Sequence, residues 1–301
     1  MQNLSVDCVI VTFNKREMLE KSIKAIDDQT YKVGNIFVVN NNSTDNTKDY
    51  LDKQQLKDER IVPFNLNKNL GGAGGFNYGI RKCMEISKSD YIWIIDDDAI
   101  ADRNALLNMI KVADKYSKNN IGFLASNVRW KDGKPAYMNI PSTADDWSLY
   151  ANENLVKIKS SSFVSMLVAR EAIKEVGLPI SEFFIWGDDV EFSYRITSSG
   201  YLGLFVNNSE VIHFMNDNVG IDIMQEHESN RIKRYFYEYR NSIYNTRIKR
   251  GNLGVTKEIL KRFFLVFKIL TSKNKSRFIK IKAIILGTLS GIVFKPHVEK
   301  V

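Results

Sequence analysis

The stretch Tyr91-Ile92-Trp93-Ile94-Ile95-Asp96-Asp97-Asp98 decides the fold. Its five bulky residues read as a strand buried on both faces, and the run stops abruptly at three carboxylates. On an extended chain alternate side chains share a face, so Asp96 and Asp98 point together while Asp97 points away. Two carboxylates on one face repel unless a cation sits between them. Hard divalent ions such as Mg²⁺ or Mn²⁺ take oxygen ligands and stay in contact with substrate phosphates. A solvated acidic turn at a helix start is the competing reading. The position at the end of an apolar strand favours the metal.

Working outward, Val6–Phe13, Ile36–Val39, Ile61–Phe64 and Ile121–Ala125 are further strand-like runs. Between them Arg16–Asp28 carries Met18, Leu19, Ile23 and Ile26 at helical spacing, and Asp45–Leu56 and Leu106–Tyr116 also read as helices. Strands alternating with helices predict an α/β fold with a mostly parallel central sheet and helices on both faces. Ligands of such sheets bind beyond the carboxyl ends of the strands. Asn14, Asn40–Ser43 and Asp96–Asp98 all lie at such ends. The polar stretch Arg129–Ile158 reads as a loop excursion over the site, and strand-like runs return at Ser162–Ala169, Leu204–Val206 and Val211–Phe214.

Three further constellations bear on chemistry. Asn69–Gly79 (Asn-Leu-Gly-Gly-Ala-Gly-Gly-Phe-Asn-Tyr-Gly) is a glycine-rich turn into a helix, suited either to phosphate at a helix start or to tight helix–sheet packing. It lacks the Gly-Lys-Ser/Thr ending of a P-loop and does not follow the first strand as a dinucleotide fingerprint would. Trp186-Gly187-Asp188-Asp189 sets a carboxylate pair beside an aromatic ring. One carboxylate can serve as a general base and Asp188 as a helix cap. His213, at a strand end, offers an imidazole that suits Mn²⁺ as a third ligand.

Composition excludes several classes. With 301 residues, 44% hydrophobic and 26% charged, the chain is globular rather than disordered or collagenous. Two cysteines, Cys8 and Cys83, cannot build a disulfide framework and suit a reducing compartment. No signal peptide is visible, and the longest apolar run, Ala283–Phe294, has 12 residues. A membrane-spanning helix needs about 20. The expectation is a cytoplasmic, non-spanning protein. Charge is uneven. Glu228–Val301 holds 18 Lys+Arg and 4 Asp+Glu, a net of +14 in a chain of +8, so the preceding residues carry −6. In this tail basic residues interleave with Phe263-Phe264-Leu265-Val266-Phe267 and Phe278-Ile279. That pattern predicts in-plane amphipathic helices at an anionic membrane surface. The alternative is that the apolar face packs on the protein's own body. No nucleic-acid-binding signature accompanies the charge.

Taken in order, Val11-Thr12-Phe13-Asn14, Val38-Val39-Asn40-Asn41-Asn42-Ser43-Thr44-Asp45, Asn69–Gly79, Asp96–Asp98, Trp186–Glu191 and His213 resemble family 2 glycosyltransferases with the Rossmann-like GT-A fold. The resemblance covers roughly residues 4–215. It implies that Thr12, Asn14 and Asn40 line a nucleoside pocket, with Asn42, Asp45, Asn69, Gly74, Asn77 and Asp97 as further donor-binding positions. Many relatives carry an aspartate where Asn40 stands. It implies that Asp96, Asp98 and His213 hold Mn²⁺ or Mg²⁺ against the diphosphate of a nucleotide sugar, and that Asp189, with Asp188 beside it, is the base of an inverting transfer. The glycine-rich turn, triple aspartate and Trp186–Phe192 segment look most like bacterial galactofuranosyltransferases, which use UDP-galactofuranose. Rhamnosyltransferases of surface polysaccharide assembly are similar at the same places. The implied acceptor is a cell-surface glycan carried on a lipid at the inner face of the membrane; a homo-oligomer is compatible. Trp130, Trp147 and Trp186 are candidates to stack on acceptor sugars.

The expected division is a catalytic part over 1–225, with donor binding in 1–126 and acceptor binding in 127–225, then a helical basic region over 226–301. A nucleotidyltransferase would need a glycine-rich basic loop near the N-terminus, and Thr12-Phe13-Asn14 is not one. A catalytically inactive glycan- or membrane-binding module is the remaining alternative, against which Asp96, Asp98, Asp189 and His213 stand intact.

Overall fold

The structure is a computed structural model that describes residues 3–272 and 275–301; Lys273 and Asn274 of the basic tail lie outside the described residues. The chain runs β1 (Val6–Thr12), α1 (Arg16–Asp27), β2 (Ile36–Asn40), α2 (Thr47–Lys57), β3 (Ile61–Asn65), α3 (Gly71–Ile86), β4 (Tyr91–Asp96), β5 (Ala99–Ala101), α4 (Ala105–Lys115) and β6 (Ile121–Trp130). It continues with β7 (Ser142–Thr143), β8 (Leu155–Ser160), β9 (Ser165–Ala169), α5 (Arg170–Val176), α6 (Asp188–Ser198), β10 (Leu202–His213), α7 (Ser229–Thr271) and α8 (Arg277–Val293).

The strands form one sheet in the order β3-β2-β1-β4-β9-β6-β10-β8-β7, with β5 on β10. The half containing β3, β2, β1 and β4 is parallel throughout. Beyond it β9 runs antiparallel between β4 and β6, and β8 runs antiparallel on β10, so the whole sheet is mixed. The sequence pattern could not show this, because β9 enters the sheet from a loop rather than from a preceding helix. Two predicted strands, Leu204–Val206 and Val211–Phe214, are one strand, β10, whose register against β6 shifts between Val206 and Glu210. The predicted excursion at 129–158 is shorter than expected, since β6 extends to Trp130 and β8 begins at Leu155.

Alternation along β1 sorts the core into two layers. Cys8 and Ile10 pack with Leu19, Ile23 and Ile26 of α1 and with Leu106 and Met109 of α4. Val9 and Val11 pack on the other face with Phe76 and Ile80 of α3 and Phe192 of α6. Each such fully buried side chain contributes roughly 1.5–3 kcal/mol. These layers hold the strand ends that carry Asn14, Asn40 and Asp96 at a common rim.

The C-terminal helices are tied to this body. α7 breaks at Gly251, where φ is +63° and ψ −166°. The part beyond the break folds back, and Arg262 donates to the Tyr239 carbonyl and Ser242 Oγ of the first part, both at 2.6 Å, and to Thr288 Oγ1 of α8 at 3.0 Å. The final residues return to the sheet-bearing part of the fold. Leu178 N–H donates to the Glu299 carbonyl at 2.8 Å, and Glu299 pairs with Arg81 of α3.

Candidate active site

The polar residues at the ends of β1 and β2 first build their own cradle. Asn14 accepts from Thr44 N–H on Oδ1 at 2.7 Å, and its own N–H donates to Ser43 Oγ at 3.0 Å. Asn40 donates to Asn65 Oδ1 at 2.8 Å and accepts from Ser43 N–H at 3.0 Å. Asp45 accepts from Thr47 and from Arg16 N–H, bracing the starts of α1 and α2. Asn42 stands exposed in a left-handed turn, φ +62°. The buried Thr12 Oγ1 has no hydrogen-bond partner among the described residues. It lies against the carboxylate of Asp97, which is itself buried.

Asp96 ends β4, and two turn residues later β5 pairs antiparallel with β10, placing Ala99 opposite His213. Phe214 N–H donates to the Asp98 carbonyl at 2.9 Å and locks this corner. One ligand atom from each of Asp96, Asp98 and His213 lies within 4.8 Å of the others. His213 Nε2 is 3.1 Å from Asp98 Oδ1 and 4.0 Å from Asp96 Oδ2. Its Nδ1 is 2.9 Å from Asn139 Oδ1, and Asn139 Nδ2 donates to Ser162 Oγ at 3.0 Å. An amide oxygen only accepts, so Nδ1 carries hydrogen and Nε2 is turned to the carboxylates. Lys15 closes the cluster, with Nζ 2.6 Å from Asp98 Oδ2 and 3.3 Å from Asp97 Oδ1. Neither Asn139 nor Lys15 was flagged by sequence reasoning. Lys15 adjoins Asn14, and that adjacency is the one signal for it.

Electrostatics follow from this crowding. Burial and the neighbouring Asp98 charge push the Asp96 carboxyl up. Against its own burial, the His213 hydrogen bond and charge and the Lys15 ammonium hold Asp98 below the usual carboxylate range. His213 is raised because the Asp98 bond and charge outweigh burial. Two carboxylates and an imidazole converging on one point, with the histidine oriented by a second amide, form a donor set that fits Mn²⁺ or Mg²⁺.

The second carboxylate pair lies near the first, close enough for the charge of Asp96 to help raise the Asp188 carboxyl. Asp188 and Asp189 open α6 after a loop with unusual backbone: Phe184 at φ +63°, Trp186 at +65° and Gly187 at +85°. Gly187 occupies the cap position, so Asp188 is not the helix cap expected from sequence but the first helical residue, buried within the fold. Burial raises Asp188 well above the ordinary carboxyl range, and burial pushes Asp189 up to about 6. The loop is held from two sides. Ala73 N–H at the start of α3 donates to the Phe184 carbonyl at 3.1 Å. From α7, the fully buried Asn241 donates to the carbonyls of Phe183, Ile185 and Trp186, and Asn245 to that of Gly187. Asn241 and Asn245 lie in the basic tail and were also missed.

Other predicted positions are placed differently. Asn69 Oδ1 accepts from Gly71 N–H at 2.8 Å, shaping the entry to α3. Gly71 is the one glycine there with a left-handed backbone (φ +72°), and a Cβ on it would lie 2.0 Å from the Phe184 carbonyl oxygen. Gly74 and Asn77 are both buried inside α3; Gly74 abuts Leu70, and Asn77 donates its amide to the Pro179 carbonyl at 2.8 Å. The glycine-rich run is a helix packed close on the sheet. Trp130 stands beside His213 in the β6–β10 register and donates to the Met215 carbonyl. Trp186 packs edge-on against Tyr235 at 5.2 Å. Trp147 lies half-exposed on the short helical segment Trp147–Glu153 packed on β8, and no contact joins it to the acidic cluster among the described residues.

Residues 7–177, more than half of the chain, match the profile of Glycosyl transferase family 2. The chain belongs to that family. This family 2 member is 27% identical over 213 residues to galactofuranosyltransferase GlfT1 of Mycolicibacterium smegmatis, covering 66% of this chain and 68% of that one. With the GlfT1 of Mycobacterium tuberculosis the identity is 28% over 207 residues, 65% and 66% of the two chains. The match therefore spans about two thirds of these mycobacterial relatives. The dTDP-rhamnosyl transferase RfbF of Shigella flexneri is 28% identical over 302 residues, 96% of each chain. Among solved structures, the mannosyltransferase PcManGT from Pyrobaculum calidifontis, in complex with GDP-Man and Mn²⁺, superposes with a TM-score of 0.58 at 14% identity, covering 96% of this chain and 87% of its own. GalNAc-T7 with UDP, GalNAc and Mn²⁺ gives 0.56 at 18%, covering 70% and 44%. These likenesses establish the GT-A-type fold for this family 2 transferase.

Proposed function

We propose that this transferase moves galactofuranose from UDP-galactofuranose to a hydroxyl of a cell-surface glycan, with inversion at the anomeric carbon. The observation that carries the reading is the convergence of Asp96, Asp98 and His213 beside the Asp188–Asp189 pair. Asp96, Asp98 and His213 would hold Mn²⁺ or Mg²⁺, which when bound neutralises charge on the departing diphosphate. Thr12 and Asn42 face the nucleoside, while Asn14, Asn40, Asp45 and Asn69 keep that pocket in shape. Asp189 takes the proton of the acceptor hydroxyl. The acceptor oxygen forms its bond to the anomeric carbon as the bond to the nucleoside diphosphate breaks on the opposite face. Burial keeps Asp189 basic enough for this near neutral pH.

The division we assign is donor binding in 1–126, acceptor binding in 127–225 with Trp130 and Trp186 nearest the chemistry, and a C-terminal helical region in 226–301. The acceptor glycan is carried on a lipid at the cytoplasmic face of the membrane. The sugar assignment draws support from the mycobacterial relatives. One observation favours a second reading, a rhamnosyltransferase using dTDP-rhamnose: the Shigella relative matches end to end, C-terminal helices included.

Calorimetric binding of UDP and dTDP, each with and without Mn²⁺, separates the two. Metal-dependent UDP binding is the expected result. Preference for dTDP moves the assignment to rhamnose. A folded protein that binds neither nucleotide favours the inactive module or a donor built on another nucleotide.

A further inference from the structure

The C-terminal helices bury a small apolar cluster that includes Tyr235, Ile269, Ala283 and Ile284, yet they also bury charged side chains while leaving large apolar ones outside. In the part of α7 beyond Gly251, the inward positions hold Arg262, 4% exposed, with Ile269, while Phe263, Phe264 and Phe267 stand 62–68% exposed. Leu260 and Leu270 continue the outward stripe at helical spacing. α8 repeats the arrangement. Lys280, Thr288 and the glycines Gly287 and Gly291 face inward, and Phe278, Leu289 and Val293 are 57–73% exposed. Lys280 Nζ donates inward to the Met224 carbonyl at 3.1 Å. Exposing phenylalanines to water while burying an arginine and a lysine is the reverse of what folding alone selects. Lys257, Lys261, Lys268, Arg277 and Lys282 are exposed on the same two helices. Among the described residues no helix is long and apolar enough to cross a membrane.

We propose that the outward faces of α7 and α8 form a docking surface for an anionic lipid bilayer, entered in-plane by Phe263, Phe264, Phe267 and Phe278 while the lysines meet the headgroups. The occupant follows from charge. A second copy of the chain would set one strongly basic face against another, whereas an anionic surface satisfies both the apolar and the basic side chains. The inference does not depend on which sugar is transferred. It also joins the lipid to the chemistry: Arg262 bolts the lipid-facing part of α7 to Tyr239 and Ser242, two residues before and one residue after Asn241, which holds the catalytic loop.

The test is flotation of the full chain with phosphatidylglycerol-containing vesicles and with pure phosphatidylcholine vesicles, beside light scattering in the absence of lipid. The expected result is binding to the anionic vesicles that falls with added salt, and a Phe263→Gln/Phe267→Gln variant whose partitioning drops at least tenfold. Those positions are exposed, so UDP–Mn²⁺ binding by the variant stays as in the parent and shows that the fold is intact. A Lys261→Glu/Lys268→Glu variant loses the preference for anionic lipid. Unchanged flotation of the phenylalanine variant overturns the proposal. So does a lipid-free dimer that the phenylalanine variant abolishes, which assigns the face to a second copy, and so does an absence of vesicle binding by a parent chain that binds UDP.

Discussion

Asn241 Nδ2 lies 2.8 Å from the carbonyl oxygen of Trp186, so a side chain of the C-terminal helix α7 holds the residue three positions before the proposed base. The same amide reaches the Phe183 and Ile185 carbonyls at 2.9 and 3.1 Å. The loop needs such a restraint because Phe184 and Trp186 both adopt positive φ, a conformation non-glycine residues leave when free.

Asn241→Ala removes the shared donor and leaves buried carbonyls unpaired, at a cost of about 1–3 kcal/mol in stability. Its sharper signature is kinetic. With the loop released, Asp189 loses its position, and kcat falls about 10–100-fold while KM for the donor and Mn²⁺-dependent UDP binding hold. The residues proposed to hold them lie at the ends of β1, β2, β4 and β10 rather than on the loop. A variant that loses nucleotide affinity in step with turnover would show general damage instead of mispositioning.

Asp189 must be ionised to accept a proton, and burial pushes it up to about 6. Turnover should therefore rise as pH increases through about 6 and level off above it, and fall as the carboxyl protonates on the acid side. Asp189→Asn should lower turnover on the order of 10²–10⁴-fold and abolish that acid limb, with donor binding retained. A pH–rate profile of both proteins checks the two statements together. Native turnover in the Asn variant removes Asp189 from the base role.

Among the described residues Lys15 supplies the ammonium that pairs with Asp97 and Asp98, and those carboxylates outweigh the desolvation of its amine and raise it. A divalent ion held by Asp96, Asp98 and His213 would supply the same neutralisation. Lys15→Met should lower the melting temperature of the metal-free protein by a few degrees, since the side chain is half exposed and the pair contributes about 1 kcal/mol or less. Added Mn²⁺ should then raise the melting temperature more than it does in the parent protein. Equal Mn²⁺ responses in the two proteins would mean that lysine and metal do not share these carboxylates.

Much of this architecture was legible because it is local. The strand ending in Asp96–Asp98 shows its alternation in sequence, and the split of Cys8 and Ile10 from Val9 and Val11 onto opposite faces follows from the same period. His213 was readable as a strand-end imidazole, but its orienting partner Asn139 is 74 residues away and inside an irregular segment with no period to read. Asn241 is hidden for a related reason. A polar residue on a helix in a basic tail looks solvated until the fold lays that helix over a loop 55 residues earlier. β9 eluded the parallel-sheet expectation because strand direction is set by tertiary pairing, on which β-propensity is silent.

The glycine-rich run yields a prediction of opposite signs within one helix. Gly79 lies on the sheet side of α3, where an added Cβ would come within 2.7 Å of Val9 Cγ1 and 2.9 Å of Val39 Cγ2. Both valines are fully buried in adjacent parallel strands, so neither can turn aside without disturbing the layer. Gly79→Ala should cost about 1–3 kcal/mol through overpacking. Gly72, in the first turn of the same helix, meets nothing within 4 Å at the same point. There alanine gains helix propensity without a clash, worth up to about 0.5–1 kcal/mol. Thermal melts of the two variants should therefore move in opposite directions, Gly79→Ala downward and Gly72→Ala level or upward. If the run instead served a phosphate through open backbone, Gly72→Ala would be the variant that loses UDP affinity, and Gly79→Ala would be silent in both measurements.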